Sequence, residues 1–129
     1  MISYIVSMDN SYALMSNFIG FLSPFITRDD EVIIVCDGCD SHTTLEYISN
    51  ISKADSRFHL IILKEKCGFS KANNIGVKIA KSEYLIFINT DIFLTENCIE
   101  KMVELLDSSE NISAVQPLLL YPQTELVQS

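Results

Sequence analysis

The feature that most restricts what this chain can fold into is a repeated switch between two hydrophobic periods. Four short, nearly unbroken apolar runs are Ile2–Ser7, Glu31–Cys36 (EVIIVC), Phe58–Leu63 (FHLIIL) and Glu83–Ile88 (EYLIFI). They alternate with segments whose apolar residues recur at helical spacing. Tyr12–Ser23 carries Leu14, Met15, Phe18, Ile19 and Leu22, and Pro24 closes it. Thr43–Lys53 opens with Thr43 and Glu46 spaced as a capping box. Ser70–Lys81 sets Ala72, Ile75, Ile79 and Ala80 on one helix face. A further helix, with its cap expected at Thr95, carries the stripe Ile99, Met102, Val103 and Leu106. Two more short strands are expected at Ile112–Val115 and Leu118–Tyr121, parted at Pro117. Apolar runs without alternation need cover on both faces, so the fold class is α/β, a mostly parallel sheet with helices on both faces.

Length and charge narrow the function. The chain has 129 residues, which suits one domain, with 9 basic and 17 acidic side chains and a net charge of −8. That sign argues against nucleic acid or an anionic membrane as partner, since both draw on a basic surface. No apolar run reaches the ~18 residues of a membrane span; the longest candidate, Tyr12–Ile26, is broken by Ser16, Asn17, Ser23 and Pro24. A secretory leader starts with positive charge, and the first basic residue here is Arg28. A cytoplasmic protein is therefore expected. The 4 cysteines are Cys36, Cys39, Cys67 and Cys98. The first two have C-x-x-C spacing, which can serve redox chemistry or half a zinc site. No second close pair completes a zinc site, His42 and His59 show no ligand spacing, and Cys36 ends an apolar run where a small hydrophobe is ordinary.

Parallel sheets bind ligands beyond the carboxyl ends of their strands, where strand order reverses. The segments to search are therefore Ser7–Asn10, Cys36–Asp40, Lys64–Gly68 and Asn89–Asp91, and they hold most of the suggestive polar chemistry. Asp37, before Gly38, is either a turn residue or an acceptor for a ligand N–H. Asp91 can hold Mg²⁺ or Mn²⁺ through oxygen, or form only a local Asx turn. Gly68, Ser70 and Lys71 open a helix whose free N–H groups favour an anion. From Lys53 to Lys81 seven basic residues stand against two acidic ones, which suits a phosphate there. No G-x-G-x-x-G follows the first strand, which argues against a dinucleotide-binding dehydrogenase, and no G-x-x-x-x-G-K-[ST] occurs, which excludes a P-loop NTPase. A phosphoacceptor receiver would need an aspartate ending the third strand, which ends instead in Leu63-Lys64.

Taken in order, the strand ends resemble those of the family 2 glycosyltransferases. Glu31–Gly38 (EVIIVCDG) is similar to the family's strand ending in D-D-G-S or D-N-G-S; Gly68–Gly76 (GFSKANNIG) to its G-F-x-x-A-N-N-x-G helix opening; Ser82–Asp91 (SEYLIFINTD) to its strand leading into D-x-D. The resemblance runs from about Ser3 to the end and implies the Rossmann-like, nucleotide-sugar-binding half of an A-type glycosyltransferase fold. It implies that Asp37 accepts from a uracil or thymine base, Ser7 contacts the base, Asn89 lies near the ribose, and Asp91 holds the cation bridging the diphosphate. The candidate nucleotide-binding residues are thus Ser7, Asn10, Asp37, Gly68, Lys71, Asn74 and Asn89, with Asp91 for metal.

Cys36, Cys39 and Asn89 depart from the family pattern, and Met8 and Asp9 stand where it often has a small residue and an aromatic. The expected activity is transfer of a sugar from a UDP- or dTDP-sugar donor to a saccharide acceptor with inversion, assisted by Mg²⁺ or Mn²⁺. Leu118–Ser129 (LLLYPQTELVQS) resembles the region just past the nucleotide half and is the last stretch of the sequence, so the expectation is a portion truncated before the acceptor-binding half. Such a piece lacks an identifiable catalytic base, binds donor with little or no transfer, and self-associates through apolar surface near Leu118–Leu120. The alternative is a non-catalytic α/β nucleotide-binding or interaction module.

Overall fold

The computed structural model describes residues 1–94, 97–122, 124 and 126–128. These form two compact units, Met1–Leu94 and Thr95–Ser129. The first contains the whole sheet: β1 (Ile2–Met8), β2 (Glu31–Asp37), β3 (Phe58–Leu63) and β4 (Tyr84–Phe87), with helices α1 (Tyr12–Leu22), α2 (His42–Ala54) and α3 (Phe69–Val77) between them. All pairings are parallel, in the order β3-β2-β1-β4. The expected α/β class with a parallel sheet is what forms, because strands this apolar are stable only when helices cover them.

Two layers of side chains fix the helices. Ile5, Ile33 and Val35 share one face with Ala72 of α3 in a buried cluster. Gly76 lets α3 sit close on that face; a Cβ there would lie 2.7 Å from the Ile5 Cγ2. The alternate residues Tyr4, Val6, Val32 and Ile34 are equally buried and point the other way. Met15, Phe18 and Leu22 of α1 and Ile48 of α2 are buried as well. Rings of α1 and α2 meet edge to face, Tyr12 against Tyr47 at 5.1 Å, which puts both helices on one side of the sheet. Right-handed crossovers place α3 on the opposite side.

Several local expectations are corrected. α2 is capped by Ser41, whose hydroxyl accepts from the Thr44 amide, and not by a Thr43–Glu46 box; Glu46 instead pairs with His42 at 3.8 Å. α3 ends at Val77, and the face it buries is Ala72, Asn73 and Gly76. Ile79 lies beyond the helix and is exposed, because the small residues, not the large ones, allow the close approach to the strands. Ser3, Glu31 and Lys81 tie the other end of the sheet: the buried Glu31 carboxylate accepts from the Ser3 hydroxyl at 2.6 Å and the Lys81 amide at 2.7 Å.

In the second unit, α4 (Ile99–Asp107) follows Cys98 and buries Ile99. Its expected cap, Thr95, lies outside the described residues. The two further strands expected at Ile112–Val115 and Leu118–Tyr121 do not form among the described residues; one antiparallel bridge joins Leu120 to Val127. Short apolar runs become strands only where an edge pairs with them, and Leu118 is 71% exposed. No helix among the described residues is long and apolar enough to cross a membrane.

Candidate functional site

The strand order reverses between β1 and β4, since β1 connects outward to β2 on one side while β4 joins on the other. An open pocket of about 320 Å³ lies at that reversal, beyond the carboxyl ends of the strands. Ser7, Met8 and Asp9 line it from β1 and its exit, and Asp37 from the end of β2. Lys66 and Phe69 come from the connection into α3, Leu14 from α1, and Asn89, Thr90 and Asp91 from the exit of β4. The Ile88 amide donates to the Ile5 carbonyl at 3.1 Å, which carries the β1–β4 ladder past the strand end and delivers Asn89 beside the exit of β1.

Asp37 is 6% exposed, and both of its carboxylate oxygens are engaged by backbone. Oδ1 accepts from the Cys67 amide at 2.6 Å and Oδ2 from the Gly68 amide at 2.9 Å. Burial pushes its pKa up, but these two amides and the nearby Lys66 charge outweigh that and hold the carboxyl below its ordinary value. Gly38 follows with φ +71°, and a Cβ there would lie 2.7 Å from the Lys66 nitrogen. The end of β2 and the 66–68 segment are therefore packed backbone to backbone.

The remaining expected residues separate into two groups. Ser7, Asp37, Asn89 and Asp91 come together in the pocket. Asn10, Gly68, Lys71 and Asn74 do not line it. Asn10 ties two loops: its side-chain oxygen accepts from the amides of Asp40 and Ser41, both at 2.9 Å, and its nitrogen donates to Asp40. Gly68 caps α3 with φ +91° and gives its amide to Asp37. Lys71 and Asn74 are exposed on α3. The buried neighbour is Asn73, whose amide donates to the Phe69 carbonyl at 2.9 Å and to the Ser7 hydroxyl at 3.4 Å. Sequence reasoning missed Lys66, Phe69 and Asn73. The basic block around Lys66 and the i, i+4 relation of Phe69 to Asn73 were the available signals.

The pocket lining has three carboxylates and one ammonium. Lys66 reaches Asp9 at 3.9 Å, with both side chains largely exposed, so this pair contributes little by itself. Among the described residues no group of three or more His, Cys, Asp or Glu side chains could hold a metal ion. Asp91 offers a single exposed carboxylate. That donor set fits a hard cation that keeps waters and takes phosphate oxygens, and does not fit a closed structural site. Cys36 and Cys39 are free and buried. Burial, with Cys39 alongside, pushes the Cys36 thiol up to about 12, the reverse of what thiolate chemistry requires.

Comparison with known proteins agrees with this arrangement. The family described as "Glycosyl transferase family 2" matches residues 10–126. An uncharacterized glycosyltransferase of Haemophilus influenzae is 28% identical over 115 residues, covering 89% of this chain and 35% of its own. Glycosyltransferase GlyG of Streptococcus pneumoniae is 25% identical over 104 residues, 81% of this chain and 34% of that protein. The chain thus spans about a third of the length of these relatives. Crystal structures of S. aureus TarS 1-349, one of them in complex with UDP, superpose with a TM-score of 0.69 at 21% identity, over 83% of this chain and 32% of theirs. That likeness establishes the A-type glycosyltransferase fold. With its parallel sheet, its pocket at the reversal of strand order and a family match over nearly its whole length, this chain belongs to glycosyl transferase family 2.

Proposed function

We propose that this chain forms the donor-binding portion of a glycosyltransferase that moves a sugar from a UDP- or dTDP-sugar to a saccharide acceptor with inversion. The observation that carries the reading is the pocket at the β1–β4 reversal, with Asp37 and Lys66 on its β2 side and Asn89 and Asp91 on its β4 side. The binding of UDP by TarS, a protein of the same fold, supports a uridine diphosphate ligand. In this reading the pyrimidine lies on the β2 side and the ribose near Asn89. Asp91 would hold Mg²⁺ or Mn²⁺ on the diphosphate, where such an ion neutralises charge gathering on the departing group. Ser7 lies on β1 between the two ends, and Asn73 holds its hydroxyl in place. Inverting transfer also needs a base to deprotonate the acceptor hydroxyl, and we assign that role to none of the residues described here.

Calorimetric titration tests the proposal. UDP or dTDP is expected to bind in the presence of Mn²⁺, and the metal-dependent part of the affinity to vanish in Asp91→Ala. Failure of both nucleotides to bind at millimolar concentration, with Mn²⁺ present, overturns it and favours a non-catalytic module.

A further inference from the structure

Asp91 stands on a short turn between two fixed points. Behind it, the Ile88 amide donates to the Ile5 carbonyl at 3.1 Å and ends the ladder with β1. Within it, the Ile92 amide donates to the Asn89 carbonyl at 3.2 Å, which puts Thr90 and Asp91 at the middle of a tight turn. Ahead of it, the Phe93 ring packs on Phe21 of α1, with centroids 4.7 Å apart and planes tilted by 59°. Phe93 is 42% and Phe21 48% exposed, so neither ring belongs to the buried core. α1 itself is firmly anchored by Met15, Phe18, Ile19 and Leu22, all buried. Leu14 and Phe21 lie seven residues apart, two turns along one helix face. Leu14 lines the pocket beside Asn89, Thr90 and Asp91. The face of α1 that lines the pocket is therefore the face that grips Phe93.

We infer that Phe21 is a positioning residue: by packing on Phe93 it fixes the turn that carries Asp91, and so sets where that carboxylate meets a cation. The inference rests on the reading of Asp91 as the ligand of a divalent ion on the donor's diphosphate. Among the described residues no cluster of three metal-ligating side chains surrounds Asp91. A carboxylate in a chelating cluster is held in place by its fellow ligands, whereas a single one depends on the backbone that carries it. Here that backbone is two residues from Phe93, and the aromatic contact ties it to a helix rather than to another loop. A contact of this kind shifts an equilibrium by up to about tenfold. That is too little to decide whether the sheet folds, and enough to decide how often a short turn presents its carboxylate correctly. Asn89 follows directly on the ladder bond at Ile88, so its place depends less on Phe93 than that of Asp91 does.

The experiment has a ligand-free arm and a ligand arm, both on the full chain. The chain has no tryptophan, so Phe93→Trp places a single fluorescent reporter at the contact. In the ligand-free arm, acrylamide quenching of that indole is compared with and without Phe21→Ala. Quenching is expected to rise at least about twofold once the Phe21 ring is gone, while far-UV circular dichroism stays native. Unchanged quenching overturns the inference, whatever the pocket binds. In the ligand arm, the native chain, Phe21→Ala and Phe21→Tyr are titrated with UDP and with uridine, each with and without Mn²⁺. Phe21→Ala is expected to cut the gain that Mn²⁺ gives UDP about tenfold and to leave uridine affinity within about twofold of native. Phe21→Tyr, which keeps a ring, should restore the gain. With Asp91→Ala already present, Phe21→Ala should cost UDP nothing more, because the carboxylate it positions is gone. A folded Phe21→Ala chain that keeps the full Mn²⁺ gain overturns the inference. So does an equal loss for uridine and UDP, which marks the contact as general support of the pocket. Should Phe21→Ala not fold, Phe93→Ala carries the same expectations. A native chain that binds no UDP, or whose UDP affinity ignores Mn²⁺, refutes the cation reading and the positioning of Asp91 toward it, while quenching still decides whether Phe21 holds the turn.

Discussion

At the scale of single residues, two glycines with positive φ do different work. Gly38 has φ +71° and faces the Lys66 backbone, whereas Gly68 has φ +91° and nothing within 4 Å of where a Cβ would stand. Gly68→Ala therefore meets no neighbour and only the cost of its positive-φ backbone, roughly 1–3 kcal/mol at φ +91° and ψ 159°, where glycine alone is at ease. Gly38→Ala meets that cost and must also push the 66–68 segment away from Asp37, so it is expected to destabilise by about 1–3 kcal/mol more. Chemical denaturation of both variants checks this, and the order of the two midpoints is the decisive result. Sequence alone reads Asp37-Gly38 as a turn or a ligand acceptor. It could not show the partner of the carboxylate, because Cys67 and Gly68 lie 30 and 31 residues away in the chain.

At the scale of elements, the sheet's two ends have separate jobs. The carboxyl ends of the strands carry the pocket. The opposite end is tied by Glu31, at the start of β2, which accepts from Ser3 on β1 and from the Lys81 amide before β4, with His59 of β3 at 3.4 Å. One buried carboxylate thus links β1, β2 and β3 with the segment that leads into β4. Burial raises its pKa, but the bonds from Ser3 and Lys81 and the proximity of His59 win, and the carboxyl titrates below its ordinary value. A carboxyl depressed in the folded state contributes stability that is complete above the unfolded pKa and is lost as pH falls through the folded one. Asp37 and Asp55 shift in the same direction, Asp55 chiefly through its Arg57 partner. Stability is therefore expected to fall on acidification through and below the usual carboxylate range. Glu31→Gln should cost about 1–3 kcal/mol at neutral pH and flatten that acid limb. Thermal unfolding of the variant and the native chain between neutral and acidic pH checks both points. The strand pattern was legible in the sequence because a fully buried strand must be apolar along its length. On α3 the sequence reading held at Ala72, which is buried, and failed at Ile79 and Gly76, because a hydrophobicity count favours the large residue while close helix–sheet contact favours the small one.

For the whole molecule, charge decides what the pocket accepts. The chain carries −8, and its pocket presents Asp9, Asp37 and Asp91 against Lys66. A diphosphate entering that field is repelled unless a cation accompanies it. Uridine, with no phosphate, is expected to bind equally with and without Mn²⁺, whereas UDP should gain affinity from Mn²⁺ and lose the gain in Asp91→Ala. Titrations of the two ligands under both conditions measure the difference directly. An equal response of uridine and UDP to Mn²⁺ would show that the cation acts elsewhere in the protein.

The sequence by itself determined the α/β class, the order of the strands and helices in the first unit, the segments that line the pocket, and the family. These follow from local properties: hydrophobic period, strand-end polarity and motif spacing. Tertiary structure alone decided which of the candidates meet. It brought Ser7, Asp37, Asn89 and Asp91 into one pocket, turned Asn10 and Gly68 to structural tasks, left Lys71 and Asn74 outside, and added Lys66 and Phe69. Strand order is the physical reason. β4 pairs with β1 and not with β3, so the exits of β1 and β4 become neighbours although more than 80 residues separate Ile2 from Tyr84 along the chain, and no local pattern records that pairing.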